Sequence, residues 1–253
     1  MISRATFCGI AAAFLLSQTL NAGAADVKVI AAAPLTPVVN ELGAQFERDS
    51  GHKLIAKFVS GPIVKQEIDR GEPFDLALSI TPVIDGLISD KKLLPDTRAD
   101  VAYAGVGVGV RAGAPKPDIG SPDAFKRALL GAKSVAHSAV GASGDHFKKM
   151  IERLGIAEEM KAKLKPMPAD KIAQAVPSGE AEMIVVTASV AMSPGTDFVG
   201  LIPAELQFYN TFAGAVGADA KQPEAAKALL KLLTAPAAAA AFKAKGLEPG
   251  VPR

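Results

Sequence analysis

The sequence predicts an α/β protein of two lobes with mainly parallel sheets and a hinge, and three observations carry that expectation. Short apolar strands alternate with amphipathic helical segments through the first third of the chain. A glycine-laced extended run, Tyr103 to Val110, then breaks the alternation with no helix after it. A second extended run, Phe208 to Val216, comes late and leads into two closing helices. Repeated strand–turn–helix order favours parallel pairing with right-handed crossovers. The two extended runs read as crossovers between lobes. This places lobe 1 at 25–104 plus 207–253 and lobe 2 at 105–206, with the hinge in Tyr103–Arg111 and Gln207–Tyr209.

Asp26 to Ala33 reads as a short buried strand, stopped by Pro34. Leu35, Val38, Val39, Leu42 and Phe46 follow at helical spacing, and Ser50-Gly51 ends that helix. Lys53 to Val59 is a second strand, and Ser60-Gly61-Pro62 opens a helix that closes at Gly71. Phe74 to Ser79 is a third strand, with a helix over Pro82 to Ser89. The alternating glycines of Tyr103–Val110 are not a dinucleotide fingerprint, because Ala112 to Pro122 is a Pro/Gly-rich loop where that motif needs a helix. Asp123–Leu130, Gly144–Leu154 and Ala157–Leu164 are expected as helices, and Ser134–His137 and Met183–Thr187 as strands. Pro223–Leu233 and Ala235–Lys245 form the closing helices, and no internal repeat is evident.

The 253 residues are 49% hydrophobic and 21% charged, enough apolar material for two cores and too much for a disordered chain. A net charge of +2, spread along the chain, lacks the concentrated basic patch that nucleic acid requires. Residues 1–24 read as a cleavable export signal: Arg4, the apolar run Ala5 to Leu16, then small residues at Asn21 to Ala25. That run is too short to span a bilayer. Cleavage after Ala24 removes the single cysteine, Cys8, and with it thiolate catalysis, thiolate metal sites and redox chemistry. The expected mature product is an exported, periplasmic monomer.

No enzyme signature emerges. His52, His137 and His146 form no i, i+4 metal pair, and Gly141-Ala142-Ser143-Gly144 lacks the spacing of a nucleophile elbow. Three strand-to-helix turns are more informative: Ala33-Pro34-Leu35-Thr36, Val59-Ser60-Gly61-Pro62 and Val140-Gly141-Ala142-Ser143-Gly144-Asp145. Each puts free N–H groups and the positive end of a helix at the C-terminal end of a strand, where open α/β sheets bind ligands. A small anion can be held there without lysine or arginine, and Ser60 and Ser143 add neutral hydroxyls. Taken alone, each turn also reads as an ordinary helix cap, and Asp145 as dipole compensation.

Val29 to Leu35, Phe58 to Ile68 with Ser60-Gly61, Gly71 to Ser79, and Gln222 through Leu247 together resemble the periplasmic substrate-binding proteins of ABC transporters, in their molybdate/tungstate-binding branch. The resemblance covers essentially the whole mature chain. It implies a type 2 periplasmic-binding fold that closes on its ligand, no cofactor, no catalysis, and delivery of a small anion to an inner-membrane ABC permease. The ligand residues it implies are Ala33, Pro34, Leu35, Ser60, Gly61, Ala142, Ser143, Gly144, Lys171 and Thr187. Pro34 stands where the branch usually has a serine, Ser60-Gly61 where a serine pair is typical, and Thr187 where a tyrosine is common. These changes remove side-chain donors and leave two ligands open, a molybdate-like oxyanion or an organic anion. Few aromatics and no tryptophan argue against a sugar. An exported sensor, or a hydrolase with an unrecognised site, are the readings from other classes.

Overall fold

The computed structural model describes residues 24–250. The expected leader, 1–24, lies outside them except for Ala24. In chain order the elements are β1 (Asp26–Ala32), α1 (Thr36–Ser50), β2 (Lys53–Val59), α2 (Gly61–Asp69), β3 (Leu76–Ile80), α3 (Thr81–Ser89), β4 (Ala99–Arg111), α4 (Pro122–Gly131), β5 (Val135–Ser138), α5 (Ala142–Arg153) and α6 (Ala157–Met160). They continue with β6 (Leu164–Met167), β7 (Met183–Thr187), α7 (Ala188–Ala191), β8 (Thr196–Leu201), β9 (Tyr209–Val216), α8 (Pro223–Thr234), α9 (Ala239–Ala244) and β10 (Glu248–Pro249). A 3-10 turn, Ala33–Leu35, joins β1 to α1.

The strands hydrogen-bond in the order β2-β1-β3-β9-β4-β7-β5-β6, with β8 and β10 also on β4. The outer pairs β1–β2, β1–β3, β5–β6 and β5–β7 are parallel, as strand–turn–helix repeats require. Pairing turns antiparallel where β9 lies against β3 and where β4 meets β9, β7 and β8. The extended run read as a crossover is therefore one 13-residue strand with two sets of partners. Ala99–Gly105 pairs with β9, and Val106–Val110 with β7.

Four cores flank this sheet, two for each half. Val38, Leu42 and Phe46 of α1 and Leu229 and Leu233 of α8 cover one face of the first half. Val64, Ile68, Ile84 and Leu87 of α2 and α3 cover the other. In the second half, Phe125, Leu129, Phe147 and Ile151 cover one face, and Ile172, Val176 and Val190 the other. Each lobe is thus a three-layer α/β sandwich with its own apolar interior.

The glycines of β4 have a packing reason. A methyl group on Gly107 would lie 2.6 Å from the Phe198 ring, and one on Gly105 would lie 3.1 Å from the Gln207 amide. Gln207 uses the space to act as a substitute strand. Its Oε1 accepts from Val106 N–H (2.7 Å) and Phe208 N–H (2.9 Å), and its Nε2 donates to the Val106 carbonyl (3.1 Å). The bonds sit where β4 changes partners.

Two expectations fail. Ala157–Leu164 is not one helix: α6 ends at Met160, and Leu164 starts β6. β8 was not expected at all. Its residues, Thr-Asp-Phe-Val-Gly-Leu, are half-exposed and carry no strong alternation. β4 and its glycines, not local propensity, select that strand.

Asp75, buried just ahead of β3, ties three segments together. Its carboxylate accepts from Lys28 N–H (2.8 Å) in β1, and from Lys221 (2.7 Å) and Gln222 (2.9 Å) N–H ahead of α8. Asp75→Ala leaves three backbone donors without an acceptor. We expect it to lower unfolding free energy by about 3–5 kcal/mol, read as an earlier urea midpoint with an unchanged slope.

Candidate functional site

Three helix starts converge on one cleft at the junction of the halves. From the first half come Ala32, Ala33 and Pro34 after β1, Ser60, Gly61 and Pro62 at the start of α2, and Ile80 after β3. From the second come Ser138 and Val140–Ser143 at the start of α5, Ala169, Ile172, and Val186, Thr187 and Val190 around α7. Asn210 and Phe212 of the returning strand β9 also line it.

The lining contains no charged, histidine, tyrosine or cysteine side chain. Its donors are neutral. Ser60 is the N-cap residue of α2, yet its hydroxyl makes no cap hydrogen bond. Gly141 takes the N-cap of α5, at φ 128°, a conformation that only glycine adopts without strain. It has no side chain to satisfy the helix, so the first-turn N–H groups of Ala142, Ser143 and Gly144 have neither a cap nor an intrahelical acceptor. Pro62 and Pro34 contribute preset φ angles but no N–H. Across the junction, Asn210 Nδ2 donates to Thr187 Oγ1 at 2.9 Å. Thr187 accepts there with one lone pair and leaves its O–H to donate to another partner. Asp145, the one acid in the first turn of α5, is absent from the lining. It lies 3.6 Å from Lys148 on the surface.

Of the ten residues expected at the site, Ala33, Pro34, Ser60, Gly61, Ala142, Ser143 and Thr187 line this cleft. Leu35 does not: it is fully buried in the first lobe's core. Gly144 supports the wall from behind, where a methyl group would overlap the Ser138 carbonyl. Lys171 is an exposed residue just before a 3-10 turn, and its neighbours Ala169 and Ile172 line the cleft instead. Asn210 and Ser138 were missed. Nothing in a strand's sequence shows which of its polar residues ends at a lobe junction.

None of the three histidines lines the cleft. His52 stacks on Phe46 and its Nδ1 accepts from Ala25 N–H at 3.3 Å. His146 stacks on Phe208 and contacts the Leu206 carbonyl through Nε2 at 2.7 Å, linking α5 to the returning crossover. His137 is buried against Phe147, and its Nδ1–H donates to the Ser138 carbonyl at 3.0 Å. Burial pushes the His137 imidazole below its ordinary 6.5, and Lys148 pushes the same way; the Ser138 carbonyl opposes both.

A family model for bacterial extracellular solute-binding proteins matches residues 27–248. The chain is 34% identical over 247 residues to an aconitate isomerase from a Pseudomonas species, covering 94% of each chain. It is 27% identical over 247 residues to the molybdate-binding protein ModA of Escherichia coli K12, covering 95% of each. Among solved structures, the periplasmic molybdate-binding protein of Azotobacter vinelandii superposes with a TM-score of 0.75 at 19% identity, over 90% of this chain and 100% of that one.

The buried neutral His137 sets an acid limit on the site. Its folded-state affinity for a proton is depressed, so its contribution to stability is present above the unfolded value near 6.5 and is lost as pH falls below it. The thermal midpoint should therefore decline between pH 7 and pH 5. In His137→Gln the decline should be shallower, as followed by scanning calorimetry across that range.

Proposed function

The chain belongs to the bacterial extracellular solute-binding protein family, and we propose that it captures a small carboxylate anion in the junction cleft and delivers it to an ABC permease. The convergence of uncapped helix starts on an uncharged cleft carries this reading. A carboxylate oxygen suits such a site, because N–H groups and hydroxyls satisfy its lone pairs while the helix ends offset its charge. Export by residues 1–24 to the periplasm, and the lobe boundaries at 104/105 and 206/207, belong to the same reading.

A carboxylate is favoured over molybdate on two grounds. The relative named for aconitate is the more similar, at 34% against 27%. Pro34 also offers neither a hydroxyl nor an N–H at a position where the molybdate branch usually places a serine. The anion would act by preferring the closed arrangement, in which both lobes contribute donors, over the open one. The two tyrosines of the chain, Tyr103 and Tyr209, pack edge to face at 5.8 Å on the crossover strands. With no tryptophan in the sequence, their emission reports on that junction.

Turnover is the second reading, favoured by the isomerase relative. Shifting a double bond in a carboxylic acid requires a base within hydrogen-bond reach of the carbon-bound proton. No titratable side chain lines the cleft itself, so we place binding first and keep turnover as the alternative.

The test is the thermal midpoint of the chain from Ala25 onward with molybdate, tungstate, sulfate, cis- and trans-aconitate, citrate and malonate. A ligand at a hundred times its Kd stabilises by about 2.7 kcal/mol. We expect upward shifts with the carboxylates and a change in tyrosine emission at the same concentrations. A shift confined to molybdate and tungstate would overturn the carboxylate assignment. Conversion of trans- to cis-aconitate, followed by proton NMR, would overturn binding without turnover.

A further inference from the structure

The junction cleft is small, about 40 Å³, room for roughly three waters by the same measure. Beside it lies a groove of about 710 Å³, bounded by the start of α1 and the end of α9 in the first lobe and by Asp170, Ala173 and Ser189–Pro194 in the second. Ala33, Ala169 and Val190 line both spaces. Ala33 belongs to one lobe and the other two to the opposite one, so the partition is apolar, nearly methyl-sized and split along the junction. A small parting of the lobes merges the two spaces into one.

The groove differs chemically from the cleft. Thr36, Asn40 and Ser193 supply neutral polar groups, Lys245 a cation, and Asp170 an anion on its rim. Ser189 is only 2% exposed, and its hydroxyl has no hydrogen-bond partner among the described residues. That hydroxyl is closed off from solvent, so it backs the groove wall and offers no contact to a ligand there. Lys245 makes one exposed ion pair, with Glu41 at 3.1 Å. Such a pair is worth little and is easily exchanged for a ligand carboxylate. Asp170 opposes a second negative charge in the groove, which leaves Lys245 as the group that offsets it.

We propose that the groove is a second subsite, which receives the distal carboxylate and carbon chain of a tricarboxylic acid whose first carboxylate occupies the cleft. This rests on the carboxylate reading above and adds length and charge number to it. Lys245 is the polar contact of the distal end, and the Ala33–Ala169–Val190 partition is the passage.

The experiment is calorimetric titration with malonate, as a probe too short to reach the groove, and with propane-1,2,3-tricarboxylate. The proteins are the native chain and Lys245→Gln, each checked for an unchanged thermal midpoint. Lys245→Gln is expected to weaken the tricarboxylate about tenfold, the loss of one charge-assisted hydrogen bond, and to leave malonate within twofold. Tricarboxylate affinity unchanged in Lys245→Gln, or malonate weakened equally, would overturn the subsite. Failure of the native chain to bind either acid would overturn the carboxylate reading itself and the subsite with it.

Discussion

Backbone N–H groups in the first turn of a helix have no acceptor within that helix, and burying them unsatisfied is costly. Among the described helices only α4 meets this with a side-chain cap, Ser121 accepting from Ala124 N–H. What distinguishes the helices that begin at the cleft is that their starts face one shared space. α2 has a serine N-cap whose hydroxyl is uncommitted, and α5 has a glycine there. The 3-10 turn before α1 starts at Ala33-Pro34 with no side-chain cap. These starts belong to both lobes and face one space, the arrangement on which the proposed anion site rests.

That arrangement depends on β4 and β9, which hold the lobes in register. β4 pairs with β9 in one half and β7 in the other, and Gln207 fastens the strand at the point of exchange. Asn210 on β9 bonds to Thr187 at the end of β7, so the same junction positions a cleft hydroxyl. Rigid sandwiches on either side and a narrow connection of two strands are the ingredients of hinge closure. The periplasmic molybdate-binding protein of Azotobacter vinelandii shares this fold.

Most of the fold was legible because apolar periodicity and turn residues are local. β1, β2, β7 and the long helices α1, α5 and α8 lie where alternation and 3.6-residue spacing place them, within a few residues at the ends. What was not legible depended on partners distant in sequence. β8 exists because β4 carries glycines that admit Phe198 and Thr196. β6 exists because β5 offers a parallel edge at Val135–Ser138. At the site, the turns were visible as Gly/Ser/Pro clusters at the ends of strands. The residues within each turn that face the cleft were only partly visible: Leu35 points into a core, and Lys171 lies on the surface beside two residues that line the wall. Asn210 gave no signal in sequence, since its role comes from a crossover between lobes.

The most direct test of the central claim is a crystal structure of the chain from Ala25 onward grown with a bound tricarboxylate. The account predicts one carboxylate within about 2.7–3.2 Å of first-turn N–H groups of α5 and of the Ser60 or Thr187 hydroxyl, with donors from both lobes and no lysine or arginine in that contact. A ligand held instead by basic side chains on one lobe, away from the helix starts, would contradict it.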